Sequence, residues 1–333
     1  MVRIAINGFG RIGRSLTRAL QQYHTIEIIA INDLANTKTL AHLLKYDSIH
    51  GRFNGEITST ENAISINGKT IQVLNEKDPK DLPWKDLNID IVIESTGLFL
   101  TKELASQHLT AGAKKVILSA PPKSEAIKTV VLGINDGNID GTEEIISNAS
   151  CTTNCLAPLA KVLHRELGIE KGMMTTIHSY TGDQPTLDTM HGDLYRARAA
   201  AMSMIPTSTG AAKAVGLVLP DLNGKLDGMS VRVPTPNVSV VDLKFIAGRN
   251  TTAEEVNAVV KAAAEGELKG VLDYDPEAKV SIDFNHDPHS SNFAAQQTKV
   301  MDNNFVSVMS WYDNEWGFSN RMSDVAVVIG KTL

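Results

Sequence analysis

Both cysteines of the chain fall in one nine-residue run, SNASCTTNC, at Cys151 and Cys155. Three chemistries could use them: half of a metal site, a redox pair, or one reactive thiol beside a bystander. Zinc sites gather four ligands as paired short spacings, and no second Cys/His cluster complements this pair. His286 and His289, in HDPHSS, read as loop decoration, so no metal is expected. Redox pairs have two intervening residues, and here there are three. One reactive thiol remains. Leu156, Leu159, Ala160, Leu163 and Leu167 form a helical stripe that stops at Gly168. Ser150 is then the expected N-cap, and Cys151 falls in the first turn, where the helix dipole favours a thiolate. Cys155, one turn further on, reads as a small buried hydrophobe. Pro158 falls inside this helix and should kink it, because it brings no N–H.

A thiolate also needs a base or a cation. His178 ends the strand-like run MMTTIHSYTGDQ. A histidine there is either the base or a structural residue, and the residues alone leave both open. Arg196, Arg198 and Arg232, with Ser150, Thr152, Thr181 and Thr209, could surround a phosphate. Pairing with surface acids is the other reading of the same arginines.

The elements that must position these groups begin at the N-terminus, in VRIAINGFGRIGRSLTRALQQYHTIEIIAIND. Residues 2–7 suit a buried parallel strand, 11–23 show helical spacing, and 26–31 suit a second strand. Between them lie Gly8, Gly10 and Gly13, spaced G-x-G-x-x-G. Gly8 permits the tight turn, Gly10 lets the backbone approach a pyrophosphate, and Gly13 lets helix and strand pack closely. The helix N-terminus offers unpaired N–H groups to the anion. Asp33, twenty residues beyond Gly13, can accept from an adenosine ribose and would repel a 2′-phosphate, favouring NAD over NADP. Strand-like runs recur at 89–94, 115–119 and 129–132. Ser119, at one strand end, reads as a group near the nicotinamide or as a turn serine.

In the second half, Val241, Leu243 and Phe245 alternate with Asp242 and Lys244, the pattern of an antiparallel strand with one wet face. Thr252-x-x-Glu255 then opens a helix that stops near Gly266. The expected fold is α/β: a Rossmann-type parallel-sheet domain over 1–149, then an α+β catalytic domain over 150–314 with a mostly antiparallel sheet. The chain of 333 residues is long for one core, which agrees with two domains. No apolar run approaches the ~18 residues of a membrane span, and the net charge of −6 argues against nucleic acid. Sparse cysteine and no export signal point to the cytoplasm. NAD beside a thiolate points to aldehyde oxidation: thiol addition gives a hemithioacetal that can lose hydride and leave a thioester.

These residues resemble the phosphorylating glyceraldehyde-3-phosphate dehydrogenases of glycolysis, along essentially the whole chain. INGFGRIGR, SNASCTTNCLAP, HSYTGDQ, RARAAAMSMIPTSTGAAKA, RVPTPNVSVVDL and SWYDNEWGFSNR look like that family's signatures, in its order. The resemblance implies that Cys151 is the nucleophile and His178 its base. It implies cofactor contacts from Arg11, Ile12, Asp33, Lys77, Ser119 and Asn314. It implies that Ser150, Thr152, Thr181, Arg196, Thr209, Gly210 and Arg232 hold the phosphate of glyceraldehyde 3-phosphate and the attacking inorganic phosphate. It also implies a homotetramer, in which the loop from Thr181 to Met202 reaches a neighbouring cofactor site. A C-terminal helix within 315–333 would pack back on the first domain. Lys77 stands where many members have Arg, and Thr189-Met190 where strictly NAD-using members often carry Leu-Pro. The rival readings are erythrose-4-phosphate dehydrogenase, a sister family, and a non-enzymatic thiol redox sensor.

Overall fold

A computed structural model describes all of residues 1–333, which form two compact units. The first comprises Met1–Val130, Asp136–Ala149 and Ser319–Leu333. Its central strand, Val2–Asn7, pairs in parallel with Ile26–Asn32 on one side and Ile91–Glu94 on the other. Lys69–Leu74 continues the sheet in parallel beyond Ile26–Asn32, followed by antiparallel Ala63–Ile66 and Ile57–Ser59. On the other side come Lys115–Leu118, Ile145–Ser147 and Lys128–Thr129, all parallel. Strand order therefore reverses between Val2–Asn7 and Ile91–Glu94, the crevice where such sheets take ligands. Ile4, Ala5, Ile6, Val92 and Ile93 are wholly buried, as a sheet covered on both faces requires.

Three helices belong to this unit: α1 (Arg11–Ala19), α2 (Thr37–Lys45) and α3 (Lys102–Thr110). Helix α1 is shorter than the spacing over 11–23 suggests. It tightens into a 3₁₀ turn at Leu20–Gln22 so that the chain can become extended at Tyr23. The run 129–132 is likewise strand only at its start, because Ile134 N turns back to Val131 O at 3.1 Å.

The second unit comprises Val131–Asn135 and Ser150–Phe318. It adds α4 (Cys151–Leu167), α5 (Ala211–Val218) and α6 (Ala253–Glu265); α7 (Trp316–Gly330) starts here and continues in the first unit from Ser319. Its sheet runs Ile205–Ser208, Leu226–Val233, Ile169–Ser179, Ser239–Ala247, Phe305–Tyr312, Ser291–Ala294, Leu272–Asp275. Most neighbours are antiparallel; Leu226–Val233 beside Ile169–Ser179 is a parallel exception. Helix α4 buries Cys155, Leu156, Leu159, Ala160 and Leu163 and runs unbroken through Pro158. Thr252 caps α6 by accepting from Glu255 N, and Gly266 ends it. The Glu255 carboxylate turns to Arg249 and Thr251 instead of closing a capping box. Helix α7 starts at Trp316 because Asp313 Oδ1 accepts from Glu315 N at 2.9 Å and Trp316 N at 2.8 Å.

Candidate active site

In the first unit the three glycines have separate physical roles. Gly8 has φ +92°, and a Cβ there would lie 2.7 Å from Thr96 N. A Cβ on Gly13 would lie 2.3 Å from Gly8 O, so helix and turn touch backbone to backbone. A Cβ on Gly10 would meet nothing within 4 Å. That open space faces a helix N-terminus that no side chain caps, which suits a pyrophosphate. Asp33 Oδ2 accepts from Phe9 N at 2.8 Å and Oδ1 from Ala35 N at 3.0 Å, so its half-buried carboxylate is fixed to the glycine turn. Arg11 is paired with Asp47. Ile12 is half-buried in the first turn of α1, and Lys77 is exposed after Lys69–Leu74. Ser119 N donates to Glu94 O at 2.9 Å, at the end of Lys115–Leu118. The set fits a dinucleotide.

In the second unit Ser150 Oγ accepts from Thr153 N at 3.1 Å and caps α4, which places Cys151 in its first turn. Ala149 just before it has φ +57°, a left-handed residue that turns extended chain into helix. Cys151 Sγ lies 3.5 Å from His178 Nε2. His178 Nδ1 is 2.7 Å from Ser179 O, which can only accept, so the proton sits on Nδ1 and Nε2 offers a lone pair to the thiol. Arg232, in register beside His178 on the neighbouring strand, donates to Ser179 O at 3.1 Å and Thr181 Oγ1 at 3.3 Å. Its Nε is buried without a protein partner.

Electrostatics corrects one expectation. Cys151 keeps partial access to solvent, yet surrounding protein pushes its thiol up, while Arg232 and hydrogen bonds with Thr152 pull it back. Burial, then Arg232, pulls His178 down to about 3. Each group alone is thus held neutral, and the helix terminus does not by itself make the thiolate. Transfer of the proton from Sγ to Nε2 creates two charges that stabilise each other at close range.

The remaining candidates fall as follows. Thr152 Oγ1 is 2.8 Å from Tyr312 OH rather than open to an anion. Thr209 Oγ1 accepts from Ala211 N at 3.2 Å, and Gly210 opens α5 without a side-chain cap. Arg196 donates to Asp183 Oδ2 at 2.9 Å and Thr207 Oγ1 at 3.0 Å, so it reaches a phosphate only by exchanging partners. Its charge is nonetheless felt at Arg232 and His178, both of which it lowers. Arg198 is exposed and paired with Asp188. Asn314 Oδ1 accepts from Ser179 Oγ and Ser239 Oγ, both at 2.9 Å, which fixes its amide orientation. Cys155 is wholly buried, 3.6 Å from Ser291 Oγ, and burial pushes its thiol up to about 12.

The model of the glyceraldehyde 3-phosphate dehydrogenase NAD-binding domain matches residues 2–102, and that of its C-terminal domain matches 150–314. The chain belongs to the glyceraldehyde-3-phosphate dehydrogenase family. It is 60% identical to the glyceraldehyde-3-phosphate dehydrogenase of Cereibacter sphaeroides, across 100% of this chain and 99% of that one. The chromosomal enzyme of Cupriavidus necator is 59% identical, and that of Geobacillus stearothermophilus 58%, each across 98% of both chains.

Sequence reasoning missed the support around Cys151 and His178. Tyr312 is buried between Thr152 and Thr176 and meets the His178 ring edge-on, with centroids 5.9 Å apart. Thr176 lies two residues before His178 on the same strand face, a period-two signal that could have found it. Ser239 Oγ accepts from Ser179 N at 3.1 Å, so it steadies the residue whose carbonyl sets the His178 tautomer. Nothing in the spacing marks Ser239 or Tyr312.

Proposed function

We infer that this chain oxidises glyceraldehyde 3-phosphate, with NAD and inorganic phosphate, to 1,3-bisphosphoglycerate, as its family membership supports. The observation that carries the reading is the Cys151 thiol aimed at the lone pair of His178 Nε2, beside an Arg232 with a buried unpaired Nε. Cys151 adds to the aldehyde carbon while His178 takes the thiol proton and passes it to the developing alkoxide, giving a hemithioacetal and a free Nε2 again. Bound NAD would supply the hydride acceptor at that carbon. His178 removes the hydroxyl proton, and a thioester on Cys151 remains. A phosphate oxygen attacks the thioester carbon, and the Cys151 thiolate leaves with the acyl phosphate formed. Arg232, Thr181, Ser150, Thr152, Thr209, Gly210 and, after exchange of partners, Arg196 are assigned to the two phosphates. Gly8, Gly10, Arg11, Ile12, Asp33, Lys77, Ser119 and Asn314 are assigned to NAD.

We assign NAD binding to 1–149 with the helix in 315–333, and catalysis to 150–314. The matched family ranges and the two compact units support that division. A homotetramer is part of the proposal: Leu187, Met190, Leu194, Met202 and Met204 are exposed along one loop, as a surface for another copy would be. A cytoplasmic location is proposed too; no helix is long and apolar enough to cross a membrane. Erythrose-4-phosphate oxidation and a redox sensor are not favoured. The relatives above are glyceraldehyde-3-phosphate dehydrogenases, and a sensor has no use for an anion-seeking Arg232. The test is NAD reduction with glyceraldehyde 3-phosphate, with and without inorganic phosphate, beside erythrose 4-phosphate. A rate indifferent to phosphate, or faster with erythrose 4-phosphate, would overturn the reading.

A further inference from the structure

The first unit holds a buried carboxylate that the aldehyde chemistry does not use. Glu94 ends its strand in register with Asn7, the last residue of the strand beside it. Strand order reverses between these two, so the pair lies beneath the crevice that takes a dinucleotide. The side chains of Glu94 and His108 are wholly shielded from solvent.

Donors surround the carboxylate. Trp84 Nε1, which can only donate, is 3.1 Å from His108 Nδ1. That nitrogen therefore carries the lone pair, and the ring proton sits on Nε2, 3.0 Å from Glu94 Oε2. Glu76 N donates to Asn32 Oδ1 at 2.8 Å, and Asn32 Nδ2 donates to Asn7 Oδ1 at 2.7 Å. This turns Asn7 Nδ2 onto Glu94 Oε2, also at 2.7 Å. At the other oxygen Thr96 N donates at 2.8 Å. Thr96 Oγ1 accepts from Leu98 N at 3.1 Å and gives its own proton to Glu94 Oε1. All four partners donate, the arrangement that the two acceptor oxygens of a carboxylate take up. His108 is its one ion-pair partner, and no lysine or arginine reaches it.

We propose that Glu94 is a specificity determinant for the oxidation state of the cofactor, its fixed negative charge favouring the cationic ring of NAD⁺ over the neutral ring of NADH. The inference rests on the NAD reading. Asp33 marks the adenosine half of the crevice, over Val2–Asn7 and Ile26–Asn32. The other half, over Ile91–Glu94 and Lys115–Leu118, is left for the nicotinamide nucleotide. In surroundings this poor in water a charge is weakly screened, so it acts without touching the ring. Loss of the ring charge on reduction removes the attraction and hastens departure of the product.

The test measures dissociation constants of NAD⁺ and NADH by calorimetry, on the full chain freed of cofactor. Glu94→Gln, close to isosteric, should weaken NAD⁺ about five- to tenfold more than NADH. Trp84→Phe deletes the donor at His108 Nδ1 and lets the imidazole take a second proton beside Glu94. It should shift the ratio of the two constants in the same direction with the carboxylate still present. Equal weakening of both forms in the two variants would show a purely structural pair and overturn the proposal, as would an unchanged ratio. Should Glu94→Gln fail to fold, Trp84→Phe decides alone. A wild-type chain that bound neither form would instead overturn the NAD reading itself.

Discussion

Two buried histidines, one in each unit, have opposite tautomers. His108 accepts at Nδ1 from Trp84 and donates from Nε2 to a carboxylate. His178 donates from Nδ1 to Ser179 O and leaves Nε2 as a lone pair for a thiol. Both rings are shielded. The group facing Nδ1 decides whether an imidazole serves as a strut or as a base. Around His108 every donor has found an acceptor; around His178 the Arg232 Nε has not. The satisfied network holds a shape, and the unsatisfied one keeps a donor for the anion proposed above.

The sharpest break in that contrast is loss of the atom His178 faces. Cys151→Ser should lower NADH formation from glyceraldehyde 3-phosphate by at least about 10⁴-fold, since a serine adduct cannot yield a thioester. Cys155→Ser should retain most of the activity and lose about 1–3 kcal/mol of stability in urea titration. Activity that survived the first change would return His178 to the structural class.

Acid should expose the cost of keeping His178 neutral. An unfolded imidazole takes a proton below about 6.5, whereas the folded one does so only near 3. Between those limits the unfolded state binds more protons, so stability falls as pH falls, by roughly 1.4 kcal/mol per pH unit from this group. Urea denaturation from pH 4 to 7 should show a slope shallower by about that amount in His178→Asn; equal slopes would mean that the ring is not held neutral. The same variant should slow alkylation of Cys151 by iodoacetamide without abolishing it, because Arg232 and the hydrogen bonds with Thr152 still favour the anion.

Arg232→Ala removes the unsatisfied donor. The kcat/KM for glyceraldehyde 3-phosphate should fall about ten- to hundred-fold, and for unphosphorylated glyceraldehyde much less. Equal losses would make Arg232 a second strut. The smallest effect is expected in the other unit: Asp33→Ala should shift the NAD:NADP ratio of kcat/KM several-fold towards NADP. The carboxylate also holds Phe9 N and Ala35 N, so part of the loss will be common to both cofactors.

Local spacing made much of this legible. Gly13, packed on Gly8 O, and the Ser150 and Thr252 caps act within a few residues of themselves, where sequence and geometry are nearly the same thing. What stayed hidden is non-local. Glu94, His108, Trp84 and Asn7 meet across separations of 14 to 101 residues, and Tyr312 reaches Thr152 across 160. Protonation was harder still. Helix position argues for a thiolate at Cys151, but burial opposes it, and burial is a property of the whole fold.

The unpaired Nε of Arg232 also bears on how the protein is handled. A tetrahedral anion that lodges there binds the folded chain and not the unfolded one, so by mass action it raises the melting temperature with its concentration. Sulfate or phosphate in a storage buffer would then act as a ligand, and a stability measured in it would belong to the complex.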